Sequence, residues 1–197
     1  MTVGGSVADF QGVLDFWFGA AGSPEYGWPR DAWFKKSDAF DDAIRARFLD
    51  VHRQAAGGRL QPWCTAPDSL LALIVVLDQF PRNLFRGTSR AFASDTQALA
   101  AAQLAVARGF DRLLLPVQRW FVYLPFVHAE DLALQRRCLE LFEGLRGDPD
   151  SAVSIDYARR HCEIIERYGR FPHRNAILER ISTPEEIEFL QQPGSAF

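Results

Sequence analysis

Thr65-Ala-Pro-Asp68 leads into Leu70-Leu-Ala-Leu-Ile-Val-Val-Leu77, eight apolar residues in a row, and then into Asp78-Gln-Phe-Pro-Arg-Asn83. Periodicity alone cannot separate a buried helix from a buried strand in such a run. Thr65 with Asp68 three residues on has the form of a capping box with Asp in the Glu position, a signature of a helix start. Both neighbouring segments are helical, so the run reads as a buried helix that Pro81 stops.

Outward from that run the helical period dominates. Phe40, Ile44, Phe48 and Val51 form one apolar stripe, with Asp41 and Arg45 paired on its solvated side and Gly57-Gly58 ending it. Phe10, Val13, Leu14, Trp17 and Phe18 form an earlier stripe, stopped by Gly19. Downstream, residues 96–108 are Ala-rich, with small residues that would let a neighbouring helix approach closely. Residues 113–124 are a second buried run, ending at Pro125. Leu134, Cys138, Leu141, Phe142 and Leu145 make the next stripe, and Tyr157, His161, Ile164, Ile165 and Tyr168 the one after. Thr183-Pro-Glu-Glu186 is a full capping box with Pro at the first helical position, opening a last short helix. The sum is about eight helices, short connections and no alternating strand. The expected architecture is all-α, one domain over residues 1–197, built from consecutive antiparallel helical hairpins.

Composition sets the outer bounds. The chain has 197 residues, 48% apolar and 24% charged, which excludes a disordered or collagen-like chain. The net charge of −3 gives no bulk basicity for nucleic acid or an anionic membrane. Cys64, Cys138 and Cys162 are odd in number, widely spaced and without CxxC, as expected of reduced thiols rather than a disulfide scaffold. The first 29 residues hold no Lys or Arg, so no signal-peptide n-region is seen. The longest nearly apolar stretch, 113–127, is interrupted by Pro116, Gln118, Arg119 and Pro125 and is too short for a bilayer. A soluble cytoplasmic protein is expected.

The informative residues are polar ones in apolar company. Asp78 and Gln79 close the eight-residue run. Arg119 lies inside the second run, and His161 lies on a core-facing stripe. Glu130, four residues before Leu134, is expected to face the core from the first turn of its helix, with Asp131 solvated. His52, among Asp50, Arg53 and Gln54, is expected at the surface. An unpaired buried charge costs several kcal/mol, so these groups must meet each other, water or a ligand. The signs allow Asp78 and Glu130 to pair with Arg82, Arg86, Arg119 or Arg174, with His128 and His161 as bridges. Such groups form either a closed network that fixes helix register or the lining of a cavity.

Recognised catalytic motifs are absent. His128-Ala-Glu130 has the His-x-Glu half of a zinc deaminase site without its Pro-Cys-x-x-Cys half. There is no His-Glu-x-x-His, no Gly-x-Ser-x-Gly and no phosphate-cradling Gly loop. Cys162 follows His161 directly, and helix neighbours one residue apart do not face each other. No metal or cofactor is expected. What remains is anion recognition: Arg82, Arg86 and Arg174, with Asn83 and Asn175, as a clamp for carboxylate or phosphate, and His128 with Glu130 as an acid–base pair. The leading expectation is an internal polar pocket for a small anionic metabolite. The alternative is a helical scaffold that binds a peptide or protein partner on a concave face. Trp33-Phe34, just before Lys35-Lys36, is placed to line a pocket mouth.

Several of these segments also resemble a known family. They are Leu14-Asp-Phe-Trp-Phe-Gly19, Asp78-Gln-Phe-Pro-Arg-Asn83 with Phe85-Arg-Gly87, Tyr123-Leu-Pro-Phe-Val-His-Ala-Glu-Asp131, Tyr168-Gly-Arg-Phe-Pro-His-Arg-Asn175, Thr183-Pro-Glu-Glu186 and Pro193-Gly-Ser195. In this order they are similar to the bacterial Domain of Unknown Function nine-two-four family over nearly the whole chain. Ala129 departs from the Ser that members often carry, which removes a hydroxyl beside His128. The resemblance implies an all-helical fold similar to tetratricopeptide-repeat proteins, and it implies no activity. An internal echo, Gln79-Phe-Pro-Arg-Asn83 and Arg170-Phe-Pro-His-Arg-Asn175, reads as two Pro residues placed just past helix ends.

Overall fold

A computed structural model describes residues 9–195; positions 1–8 and 196–197 of the expected single domain lie outside the described residues. The helices are α1 (Phe10–Phe18), α2 (Asp38–Ala56), α3 (Pro67–Leu84), α4 (Asp95–Ala107), α5 (Pro116–Val127), α6 (Leu132–Glu143), α7 (Ala152–Tyr168) and α8 (Pro184–Leu190). Among the described residues there are these eight α-helices and no strand, with one 3-10 turn in every connection except that between α5 and α6.

The apolar run is a helix, and it lies at the centre. α3 packs against α1, α2, α4 and α5, and every residue from Ser69 to Pro81 is buried. Neighbours on all sides let the middle of α3 be apolar all round, where a surface helix keeps one polar face. Its ends differ from expectation. The N-cap is Ala66 without a side-chain bond, while Thr65 Oγ1 donates to the Pro62 carbonyl instead. Pro67, with its preset φ, starts the helix in place of a capping box.

Pro81 does not stop α3 but lies inside it. A helical Pro leaves the carbonyl four residues back without its N–H donor, here Leu77, and the buried Ser94 hydroxyl donates to that oxygen at 2.6 Å. The helix then continues to Leu84, whose carbonyl accepts from Arg45 Nη2 at 2.6 Å. α5 likewise passes through Pro125 to Val127. It begins only at Pro116, so Leu113 stands outside it, exposed rather than buried.

The end of α5 is closed from a distance. Gln135 Nε2, fully buried on α6, lies 3.2, 2.7 and 2.8 Å from the carbonyls of Phe126, Val127 and Ala129. Those are the acceptors that a helix C-terminus leaves open, and His128 lies among them. α6 starts later than expected, at Leu132. Asp131 is its N-cap, accepting from Leu134 N at 2.9 Å, so Glu130 precedes the helix instead of lying in its first turn.

The main core gathers α1 to α6 around Trp17, Phe80 and Phe121. A smaller core of Ile164, Ile165 and Phe171 seats Leu132, Tyr168 and Phe189 beside it. His52 is buried in α2 with its ring edge-on to Phe85, not at the surface. Among the described residues no helix is long and apolar enough to cross a membrane.

Candidate functional site

The Pro81 turn of α3 sets the floor of the site. Asp78 is completely buried there, and Arg82 follows one turn later, donating to the Asp78 carbonyl. The Ser94 bond to Leu77 brings the start of α4 alongside, so Asp95 meets Arg82 as a two-pronged ion pair at 2.9 and 3.1 Å. His128, at the end of α5, places Nδ1 2.7 Å from Asp78 Oδ1. Arg174, in the turn after α7, donates to the His128 carbonyl at 3.0 Å. The cluster thus joins α3, α4, α5 and the chain after α7.

Burial would raise the Asp78 carboxyl, but Arg82 and His128 outweigh it and hold Asp78 below the ordinary carboxylate value. Burial lowers His128, and Arg82 adds to that despite Asp78. The pair is therefore a carboxylate and a neutral imidazole at pH 7. An ionised Asp78 can only accept, so Nδ1 carries the proton and Nε2 keeps the lone pair. His161 is pushed down to about 3 and His173 to about 4, each first by burial.

Arg174 is the group with unmet demand. Its side chain is 8% exposed, and its guanidinium lies 4.8 Å from the Phe92 ring centroid and 4.5 Å from that of Phe171. Its nearest carboxylate, Asp95, is 3.8 Å away, and its buried Nε has no hydrogen-bond partner. Burial and the Arg82 charge pull its pKa down to about 10, and Asp95 and Glu130 offset this only in part. The cluster reaches solvent at Arg82 and Asp95, whose side chains are 20% and 21% exposed. Among the described residues no group of three or more His, Cys, Asp or Glu could hold a metal ion.

Of the residues singled out in the sequence, Asp78, Arg82, His128, His161 and Arg174 come together. Glu130 and Asn175 lie beside them in a closed lattice. Glu130 takes both prongs of Arg180 at 2.6 and 2.9 Å and the Phe171 N–H at 2.8 Å. Asn175 links Arg180 to Glu186, which is forked by Arg170. The carboxylate partner of His128 is accordingly Asp78, not Glu130. Asn83 and Arg86 go elsewhere, both to Asp41. Arg119 joins Tyr123, which donates to Asp111 at 2.8 Å. Sequence reasoning missed Asp95 and Arg180. Asp95 looks like an ordinary first-turn acid, and Arg180 lies in a turn without period.

The chain matches the family model described as bacterial protein of unknown function (DUF924) over residues 13–194. Among solved structures it is similar to a protein of unknown function, ATU0120, from Agrobacterium tumefaciens. The identity is 42%, the TM-score 0.83, and the match covers 92% of this chain and 96% of that one. No curated protein matches. Match length, identity and shared fold agree, and the chain belongs to the DUF924 family of bacterial proteins of unknown function.

Proposed function

We propose that the protein binds a small carboxylate- or phosphate-bearing molecule at Arg174. The observation that carries this reading is the buried Nε without a partner. Aromatic rings near Arg174 favour a cation without satisfying its N–H donors. One N–H already serves the His128 carbonyl. The Nε edge suits a planar, two-pronged acceptor, the recognition for which arginine is used in preference to lysine. Next to such a ligand, the Asp78–His128 pair supplies a proton acceptor at Nε2, a group in the right protonation state for general-base chemistry.

Thermal unfolding with added sodium phosphate, acetate or benzoate tests this, against sodium chloride at equal ionic strength. At tenfold the dissociation constant a ligand adds ~1.4 kcal/mol, or about 3–6 °C for a chain of this size. At least one anion should raise the melting temperature, and Arg174→Lys should abolish the rise. The absence of a rise, or an equal rise in the variant, would refute the reading.

A second reading, a partner-binding scaffold, draws on a different observation. Trp28 and Phe34, six residues apart in the chain, are 61% and 63% exposed, and such side chains are available to a partner. Leu115 lies near this segment, since a Cβ on Gly27 would stand 3.4 Å from its Cδ1.

A further inference from the structure

A cleft of about 250 Å³ lies between α2, α3 and α4, formed by other residues than the polar cluster. Its walls are mostly apolar, with Leu60, Leu73, Leu77 and Leu104, and carry the polar side chains of Gln61 and Gln97. The small side chains of α4 let it pack closely on α3, as the sequence led us to expect, with Ala98, Ala101, Ala102 and Ala105 buried, and the cleft opens beside that contact. Gln97 crosses from α4 to α2, donating to the Ala56 carbonyl at 3.0 Å. The volume is below the ~300–1,000 Å³ of sites for drug-sized molecules, so a short chain or a single ring fits the space.

One arginine stands beside the lining and a second follows a lining residue in the chain. Arg108 donates to the carbonyl of Cys64, a lining residue, at 2.7 Å. Burial pushes the Cys64 thiol up, and the Arg108 charge works against that. Arg59 sits between Gly58 and Leu60, both lining residues. Neither arginine forms an ion pair with a carboxylate among the described residues. A mostly apolar slot with the Arg108 guanidinium beside it is complementary to an anionic amphiphile.

We propose that this cleft is a second binding site, for a short-chain aliphatic carboxylate. The tail lies against Leu73, Leu77 and Leu104, and the head meets Arg108 and Arg59.

Titration calorimetry of the full chain carrying Arg174→Lys, which removes the anion site proposed at the polar cluster, with sodium octanoate and with n-octanol tests it. Octanoate should bind saturably, one per chain. Arg108→Gln should weaken octanoate at least fivefold and leave octanol unchanged. Ala101→Leu should abolish binding of both, and Ala100→Phe, on the exposed lip, serves the same purpose if the first variant fails to fold. Octanoate binding that persists in Arg174→Lys separates this site from the polar cluster. No saturable octanoate binding, unchanged affinity in Arg108→Gln, or retained binding in Ala100→Phe would overturn the proposal. So would loss of binding in Arg174→Lys, which would move octanoate to the other site.

Discussion

Burial holds Arg174 at a pKa of about 10 against an ordinary 12.5, which disfavours its charge in the folded state by about 3 kcal/mol. Glu130 is in the opposite position. Burial would raise it, but Arg180 and the Phe171 N–H hold it below the ordinary glutamate value. The histidines give the residue scale its pH dependence. His161 and His173 are held at about 3 and 4 when folded, against 6.5. A depressed folded pKa means that the unfolded chain binds the proton first as pH falls. The stability from these two groups is complete above about pH 6.5 and is lost progressively below it, toward pH 3–4. One unit below 6.5 each costs about 1.4 kcal/mol. The melting temperature should therefore fall by about 5–10 °C between pH 7.5 and 5.5. His161→Asn, whose amide can still donate to the Tyr157 carbonyl, should remove about half of that fall. An equal fall in the variant would show that the acid sensitivity lies elsewhere. At this scale the sequence revealed that buried polar residues needed partners, because an apolar run cannot absorb Asp78 alone. It did not reveal which partners, because Arg180 and Asp95 come from other segments and their pairing depends on tertiary placement.

α3 shows what was legible about elements and what was not. Its existence follows from eight apolar residues among helical neighbours, and its central place follows from burial on every side. Its C-terminal end was misread because Pro81 has two local meanings, stop or kink, and a residue elsewhere in the chain decides between them. Ser94 is that residue. Its hydroxyl replaces the donor missing at Leu77 and docks α4, which carries Asp95 to Arg82. Ser94→Ala leaves a buried carbonyl unsatisfied and should cost about 1–3 kcal/mol, or about 2–12 °C in melting temperature. A change within 1 °C would mean that α3 passes Pro81 without this support. Gln135 acts in the same way at the end of α5, and its buried amide gave no sequence signal because glutamine at a helical position is unremarkable in isolation. Thr183-Pro-Glu-Glu186 was fully legible. Thr183 Oγ1 accepts from Glu186 N at 3.2 Å, and Glu186 Oε2 accepts from Thr183 N at 2.8 Å, because both halves of that motif lie within four residues.

The whole molecule is a helical protein in which helix ends, rather than helix faces, carry the polar chemistry. Asp78 and Arg82 flank a kink, Asp95 opens α4, His128 closes α5, and Arg174 follows α7. The fold was readable because apolar period is local. The site was half readable because its residues are local but their meeting is not. The 42% identical neighbour of the same fold extends the architecture beyond this chain. Two kinds of buried charge coexist in one corner of the molecule: a closed lattice at Glu130, and an incompletely satisfied cation at Arg174. The most direct measurement compares Arg174→Met with Glu130→Gln in thermal unfolding at neutral pH without added anions. Met retains an apolar stem near Phe92 and Phe171 while removing a charge held at a stability cost. Glu130→Gln leaves Arg180 without its ionic partner and should lose about 2–4 kcal/mol, or about 4–15 °C. Arg174→Met should lose less than about 2 °C or gain stability. If Arg174→Met falls as far as Glu130→Gln, Arg174 is part of the closed lattice and the anion site does not exist.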